Sequence, residues 1–539
     1  MSYDIKKYFP YAQIREQQEK AINFALDAFT KENKRFVIVE AGTGVGKSAI
    51  GLTIGKYMNA NLPATDDHDP ASWYLTTQKI LQAQYIKDFG HKEKMRSVKS
   101  AKNHACKHSG SDCKEGQMLL RNCDKKSHQW KTCVFECPYK KEKKEFLEAK
   151  NSVANFAYFM TETNSSGKIT PRNLLVIDEA HNIEGELSRF IEVSVSERFA
   201  KSMLKLNFPA KATQFQAVKW IREEYFPAAA LKLQFVESQI EKLGLGSKLD
   251  DLKKIAQSFE MLSSHVDKLR TFLNHYDKDN WVMELVQGQG RAMRKFTFRP
   301  IDVSPWAEQF LFRCGNKVLM LSATILNKQA FCDNLGITEE ECAFISIPSP
   351  FPISNRPIMF FPAGKMSANE IDRTLPKLTN MIKAIMEEHK GQKGIIHAHS
   401  YKVAKYLKEN LKSKRIKIHN SENRDQVLEE HIKSKTDSIL LSPSMSEGVD
   451  LKGDLSQFQI LCKVPYPYLG DPIVKKRMNK RTTWYPLQTA KTIVQSVGRS
   501  VRSKDDQAVT YILDQDWQRF FNNNKQFFPK DFIQCLKWR

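Results

Sequence analysis

The chain has 539 residues, 41% hydrophobic and 27% charged, with a formal net charge of +23 and a sequence pI near 9.4. A single core stops growing at roughly 250 to 300 residues, so the length excludes a one-domain protein, and the composition excludes a disordered or fibrous one. The lysine and arginine excess attracts polyanions, whose bound counterions are released on contact, and so points to nucleic acid; charge alone leaves a simple solubility role open. Residues 1–10 carry charge without an apolar signal core, and no stretch approaches the ~18 uninterrupted apolar residues of a membrane span, so a cytosolic protein with no membrane partner is expected.

In chain order, short apolar and β-branched runs occur at Arg35–Val39, Trp73–Thr76, Leu174–Ile177, Val318–Leu321, Gly394–Ile396 and Ser438–Leu441. Each is followed by a helical pattern, which predicts an α/β fold of parallel sheets with crossover helices. Four runs precede residue 326 and two follow it, with a proline-rich stretch, Ile345–Ile358, as the expected connection between two P-loop-type α/β domains. Two segments break the alternation. Residues 93–150 are rich in cysteine and lysine. Residues 192–299 read as helical, because Leu252, Ile255, Phe259, Leu262, Val266, Leu269 and Leu273 recur at spacings of three and four, a stripe expected to pack rather than to bind a cofactor.

The run Arg35–Val39 leads into Ala41-Gly42-Thr43-Gly44-Val45-Gly46-Lys47-Ser48 and then an apolar helical pattern. This is a Walker A loop: glycines let backbone N–H groups face phosphates, Lys47 reaches the β and γ oxygens of ATP, and the Ser48 hydroxyl ligates Mg2+ at a helix N-terminus. Ala41 replaces the first glycine of the general pattern. Leu174–Ile177 delivers Asp178 and Glu179 at a strand's C-terminal end, where open α/β sheets bind ligands; Asp178 is expected to hold Mg2+ and Glu179 to polarise the attacking water. Adjacent carboxylates there could also cap a helix. Gln495-Ser496-Val497-Gly498-Arg499-Ser500-Val501-Arg502 offers two arginines three residues apart, able to share one helical face and to act as arginine fingers from the second domain. A basic face turned to nucleic acid is the alternative. Trp73, Tyr74 and Tyr401 are candidates for base stacking, with packing in the core as the competing role.

With these elements in order, the chain resembles superfamily-two DNA helicases of the XPD/DinG group along nearly its whole length. Tyr11–Gln18, with Arg15 and Gln18, is similar to the group's adenine-side Q motif. Ala41–Ser48 and Asp178-Glu179-Ala180-His181 resemble motifs I and II, Thr76-Thr77 through Gln84 motif Ia, and Ser322-Ala323-Thr324 motif III. Glu447-Gly448-Val449-Asp450 resembles motif V, and Gln495–Arg502 motif VI; Pro465-Tyr466-Pro467 with Asp471-Pro472 is similar to the segment before it. Ile396–Tyr401 departs from the pattern, since relatives carry Phe and Pro there. The resemblance implies two RecA-like P-loop motor domains with an iron-sulfur cluster insertion and a helical arch insertion in the first. The expected limits are 1–92, 151–191 and 300–326 for motor domain 1, 93–150 for the cluster domain, 192–299 for the arch and 327–539 for motor domain 2.

The resemblance further implies ATP-driven 5′ to 3′ movement on single-stranded DNA and unwinding of forked or tailed duplexes, by a monomer whose active site is complete in one chain. Lys47, Asp178, Glu179, Gln495, Arg499 and Arg502 would carry hydrolysis, and Arg15, Gln18, the loop Ala41–Ser48, Glu447, Gly448 and Asp450 would bind nucleotide. A nucleic-acid-stimulated translocase, on RNA or DNA, shares this chemistry without unwinding, whereas a binding scaffold with a dead P-loop fits poorly with an intact Lys47, Glu179 and Arg499.

Five of the ten cysteines, Cys106, Cys113, Cys123, Cys133 and Cys137, fall in one segment of a chain expected to be reduced, which makes metal binding more pertinent than disulfides. Four thiolates suit a 4Fe-4S cluster or zinc, and no Cys-x2-Cys ribbon spacing decides for zinc. On the resemblance, Cys137-Pro138-Tyr139 carries the last cluster ligand and Cys106 the first, with Cys133 third; Cys113 is preferred to Cys123 for the remaining place. His104, His108 and His128 are expected to be solvated surface residues.

Overall fold

The computed structural model describes residues 3–42, 44–62, 67–107, 112–120, 124–165, 167–242, 249–288, 294–420, 423–443, 451 and 453–538. The expected residues Thr43, His108, Cys123, Glu447, Gly448, Val449 and Asp450 lie outside them.

Strands in chain order are β1 (Phe36–Ala41), β2 (Asp69–Thr76), β3 (Arg96–Ser97), β4 (Asn151–Asn155), β5 (Arg172–Asp178), β6 (Val193–Ser196), β7 (Trp281–Val286), β8 (Lys295–Pro300) and β9 (Gly315–Ser322). They continue as β10 (Cys342–Ile347), β11 (Ile358–Gly364), β12 (Gly394–His397), β13 (Ile416–Ile418), β14 (Ile439–Ser442), β15 (Phe458–Leu461), β16 (Val509–Asp514) and β17 (Leu536–Trp538). Two seven-stranded sheets run in the orders β10-β1-β9-β5-β2-β4-β3 and β13-β14-β12-β15-β16-β11-β17. Every pairing within them is parallel, as expected for α/β motor domains.

Side-chain alternation explains why these runs are apolar throughout. In the first sheet Ile38, Leu175, Ile177, Val318 and Met320 enter one core, while Val37, Val39, Leu174, Val176, Leu319 and Leu321 enter the core on the opposite face. In the second, Ile396, Ile439, Leu441 and Leu513 face one side, and Leu461 and Ile512 the other. Burying each such residue stabilises the fold by about 1.5–3 kcal/mol, so both faces demand covering helices. Among the described residues no helix is long and apolar enough to cross a membrane.

Two expectations change. The first sheet does not end at residue 326: β10 pairs with β1 from Phe36↔Cys342 to Ala41↔Ile347, so the first motor sheet extends to Ile347. The proline-rich stretch therefore narrows to 348–357, between β10 and β11. The segment 192–299 is not purely helical. Its stripe does form one helix, Leu249–His275, with Leu262, Val266 and Leu269 fully buried. Beside it stands an antiparallel sheet ordered β6-β8-β7, whose inward Val193, Val195, Phe296 and Phe298 alternate with outward polar residues in the period-two pattern of a strand.

Candidate active site

The crevice forms where strand order places the phosphate loop and the paired carboxylates one strand apart. β9 separates β1 from β5, and the registers Glu40↔Ser322 and Asp178↔Leu321 bring the ends of all three to one level. After β1 the loop turns through Gly44 and Gly46 at φ of 84° and 89°, a conformation glycine adopts without penalty, and the helix Lys47–Asn61 begins at once. Arg15 caps the helix Glu16–Thr30 and its Nη1 donates to the Gly44 carbonyl at 2.8 Å. The Gln18 Oε1 accepts the Arg15 N–H at 3.0 Å, and a Cβ built on Gly46 would stand 2.5 Å from the Gln18 Nε2, so both expected Q-motif residues lie against the phosphate loop.

Lys47 Nζ stands 3.8 Å from Glu179 Oε1, which joins the two sequence motifs in one site. Glu179 holds a left-handed backbone, φ 53°, an uncommon state for a residue with a Cβ and one concentrated at functional sites. Burial pushes its carboxyl upward, but the charges of Lys47, Arg499 and Arg502 outweigh that and hold it below the usual range, so it is an anion. Asp178 is driven the other way, to about 6, by burial first and the neighbouring Glu179 charge second. Tyr85, outside the sequence motifs, donates its hydroxyl to Asp178 Oδ2 at 3.0 Å and has the Ser48 side chain beside it. It thereby gathers two oxygen donors, Ser48 and Asp178, of the kind Mg2+ takes.

The second motor domain reaches this crevice through the helix Trp484–Val497. Gln495 Nε2 donates to His181 Nε2 at 2.8 Å and to Thr324 Oγ1 at 3.2 Å, and Lys491 Nζ donates to the His181 carbonyl at 2.7 Å. Burial, then the Lys491 charge, lowers His181 to about 3; the ring is neutral, accepts at Nε2 and donates from Nδ1 to Ser322 Oγ at 2.8 Å. Motifs II, III and VI thus share one hydrogen-bond network, a connection that the sequence order alone does not reveal. Arg499 and Arg502 do not share a helical face. The helix ends at Val497, Gly498 closes it with its N–H on the Val494 carbonyl, and the Arg502 N–H is taken by Asp506 Oδ2 at 2.7 Å. Both arginines sit in the following loop, close enough to act on the Glu179 charge.

Among the cysteines, Cys113 begins the helix Cys113–Leu119, Cys133 lies in His128–Phe135, and Cys137 precedes Pro138–Glu148. All three thiols are buried and Cys106 is partly exposed, with none of the four in a disulfide. Cys113 Sγ and Cys137 Sγ are 3.1 Å apart. Burial, followed by Cys137 itself, raises the Cys113 thiol to about 12, and Cys133 adds to the same effect. Among the described residues no three ligating side chains converge on one point. The donor set nevertheless fits a soft metal group, being all sulfur, unbridged and buried at three of its four positions. His104 is not the expected solvated residue: its ring packs 5.5 Å from that of Tyr139.

The proposed stacking residues separate. Trp73 and Tyr74 are each 1% exposed, and the Arg172 guanidinium lies 3.4 Å from the Trp73 ring centroid. Both belong to the core around β2, whose residues Ala71 to Thr76 are all buried because the sheet is covered on both faces. Tyr401 is 58% exposed at the start of the helix Tyr401–Leu411. In the divergent segment before it, His397 and His399 stack with ring centroids 5.6 Å apart.

A family model described as the Type III restriction enzyme res subunit matches residues 11–214, and one described as the Helicase C-terminal domain matches 382–534. The chain is 28% identical over 239 residues to the ATP-dependent DNA helicase DinG of Photobacterium profundum, a match covering 40% of this chain and about a third (34%) of that protein. Longer matches join it to a probable ATP-dependent helicase of Methanocaldococcus jannaschii, 21% identical over 95% of this chain and 94% of that one. The ATP-dependent DNA helicase YoaA of Haemophilus influenzae is 22% identical over 95% and 92%. In fold the chain is similar to an XPD helicase, with TM-score 0.64, 13% identity and coverage of 98% of this chain and 100% of that one. A second similar structure, the Xpd4 protein of S. tokodaii, gives TM-score 0.58 at 13% identity, over 97% and 100%. With both helicase domain models matched and the crevice between two RecA-like sheets in place, the chain is an ATP-hydrolysing helicase that is similar in sequence to DinG and YoaA and in fold to XPD.

Proposed function

We propose that this protein is a motor on single-stranded DNA that moves 5′ to 3′ and unwinds forked or tailed duplexes as a monomer in the cytosol. The observation that carries the reading is the bond from Gln495 of one motor domain to His181 and Thr324 of the other, beside the Lys47–Glu179 pair. Hydrolysis at such a crevice is tied to the relative position of the two domains, which is what a stepping motor needs. The DNA substrate is supported by the DinG and YoaA relatives and by the net charge of +23.

Lys47 and the loop Ala41–Ser48 hold the phosphates, Arg15 and Gln18 brace that loop, and the anionic Glu179 orients the attacking water. Arg499 and Arg502 supply positive charge to the transferred phosphoryl group, while Gln495 keeps them in register with His181. Ser48 and Asp178 would hold Mg2+, which neutralises charge on the phosphate oxygens when bound. On the resemblance, Glu447, Gly448 and Asp450 would bind nucleotide. Cys106, Cys113, Cys133 and Cys137 would hold a 4Fe-4S cluster, for which the buried Cys113–Cys137 sulfur pair is the support and which would cross-link the segment 93–150.

The test is ATP-dependent strand displacement by anaerobically purified protein on duplexes with a 5′ or a 3′ single-stranded tail. Unwinding of the 5′-tailed substrate alone, by a brown preparation with near-stoichiometric iron and sulfide, is expected. Unwinding from the 3′ tail refutes the polarity; DNA-stimulated hydrolysis without displacement of either refutes the helicase and leaves a translocase; colourless, zinc-loaded and active protein refutes the cluster.

A further inference from the structure

The chain between the two sheets runs across the phosphate loop. The Gly42 N–H donates to the Ile347 carbonyl at 3.1 Å, and a Cβ built on Gly42 would lie 2.8 Å from the Ser349 nitrogen. A Cβ on Gly44 would collide with the Phe351 ring, whose Cε1 and Cε2 would both be 2.7 Å away. Glycine at 44 is thus required twice, by its positive φ and by this ring. Phe351 is 6% exposed, and its buried partners are Val501 and Ala508, from the loop that carries Arg499 and Arg502. The connection is then fastened to that loop: the Ala508 N–H donates to the Asn355 carbonyl at 2.9 Å, and Asn355 Nδ2 donates to the Lys504 carbonyl at 2.9 Å. Pro348, Pro350 and Pro352 fix φ at alternate positions, which leaves the strap little slack.

We infer that Phe351 is a positioning residue for ATP hydrolysis, a buried strut between Gly44 of the phosphate loop and Val501 of the arginine loop. Packed contacts of this kind do not deform continuously, so a shift of the phosphate loop on nucleotide binding is passed through the ring to Val501 and to the arginines on either side of it. Its described partners are Gly44, Val501 and Ala508, none of which carries a charged or polar side-chain group, so the strut acts by placing Arg499 and Arg502. The inference rests on the proposed role of Arg499 in hydrolysis.

Steady-state ATP hydrolysis with single-stranded DNA tests it, using full-length Phe351→Ala, Phe351→Leu and Arg499→Ala with thermal melting as the check on folding. Phe351→Ala is expected to lower kcat on the order of 10²-fold, the scale of a misplacement of about 1 Å, with KM for ATP nearly unchanged, and Phe351→Leu to restore most of the loss. Should Phe351→Ala fail to fold, Val501→Ala removes the same contact from the other side and must lower kcat without raising KM. Folded Phe351→Ala with wild-type kcat overturns the inference, as does a loss wholly in KM, which would make the ring a nucleotide contact. Normal turnover by Arg499→Ala would instead sink the arginine assignment itself; an inactive Arg499→Ala beside a normal Phe351→Ala sinks only the strut.

Discussion

The two sides of the ATP crevice are built by different means. On the first-domain side, Lys47, Asp178 and Glu179 stand at strand ends or at a helix start, and sheet register fixes their separation. On the second-domain side, Arg499 and Arg502 sit in a loop that begins where Gly498 ends a helix, held by Asp506 and by the bonds of Gln495 and Lys491 to His181. Ion pairs brace the same domain boundary away from the crevice, Arg477 with Glu184 at 2.8 Å, Arg481 with Asp302 at 3.0 Å and Arg299 with Asp471 at 3.0 Å. Under the proposed roles, nucleotide is gripped by residues that sheet register fixes and triggered by residues of a loop from the other domain, so that loss of grip and loss of trigger are separable.

Arg499→Ala should break the comparison most visibly. Removal of an arginine finger costs roughly 10³-fold or more in turnover, and ATP affinity measured by nucleotide binding should persist because the grip lies on the other domain. A loss of affinity with turnover preserved would place Arg499 in the grip and erase the distinction. A smaller effect sharpens the first-domain side. Asp178, with its carboxyl raised to about 6, is protonated below that pH and a carboxylate above it. Proton and Mg2+ compete for that carboxylate, so at low Mg2+ hydrolysis should fall as pH drops through about 6, and added Mg2+ should move the fall to lower pH. His181, lowered to about 3, stays neutral throughout this window and does not contribute. A pH profile that ignores Mg2+ concentration would remove Asp178 from the metal site.

The grip was legible in the sequence because its chemistry is local. A Gly-rich loop between an apolar strand and a helix, and a carboxylate pair closing another strand, are short patterns whose geometry follows from the backbone. The trigger was legible by residue type but not by shape, since three-residue spacing suggests one helical face and only Gly498 and the Asp506 hydrogen bonds turn the arginines into a loop. Tyr85 gave no signal, because a tyrosine in an amphipathic helix looks like any other core aromatic until the fold brings Asp178 to its hydroxyl. Trp73 and Tyr74 take the core role that the sequence left open beside stacking, and β10 is hidden by the proline run that follows it. Strands β6, β7 and β8 leave little trace because a strong helical stripe dominates their segment.

Glu179 is the residue proposed to orient water for hydrolysis. The most direct measurement is ATP turnover of Glu179→Gln, with and without single-stranded DNA, alongside its strand binding. The isosteric amide should bind the strand as the wild type does and lose hydrolysis by on the order of 10²- to 10⁴-fold, the scale of a positioned general base. Wild-type turnover by Glu179→Gln would contradict the assignment of this crevice as the engine.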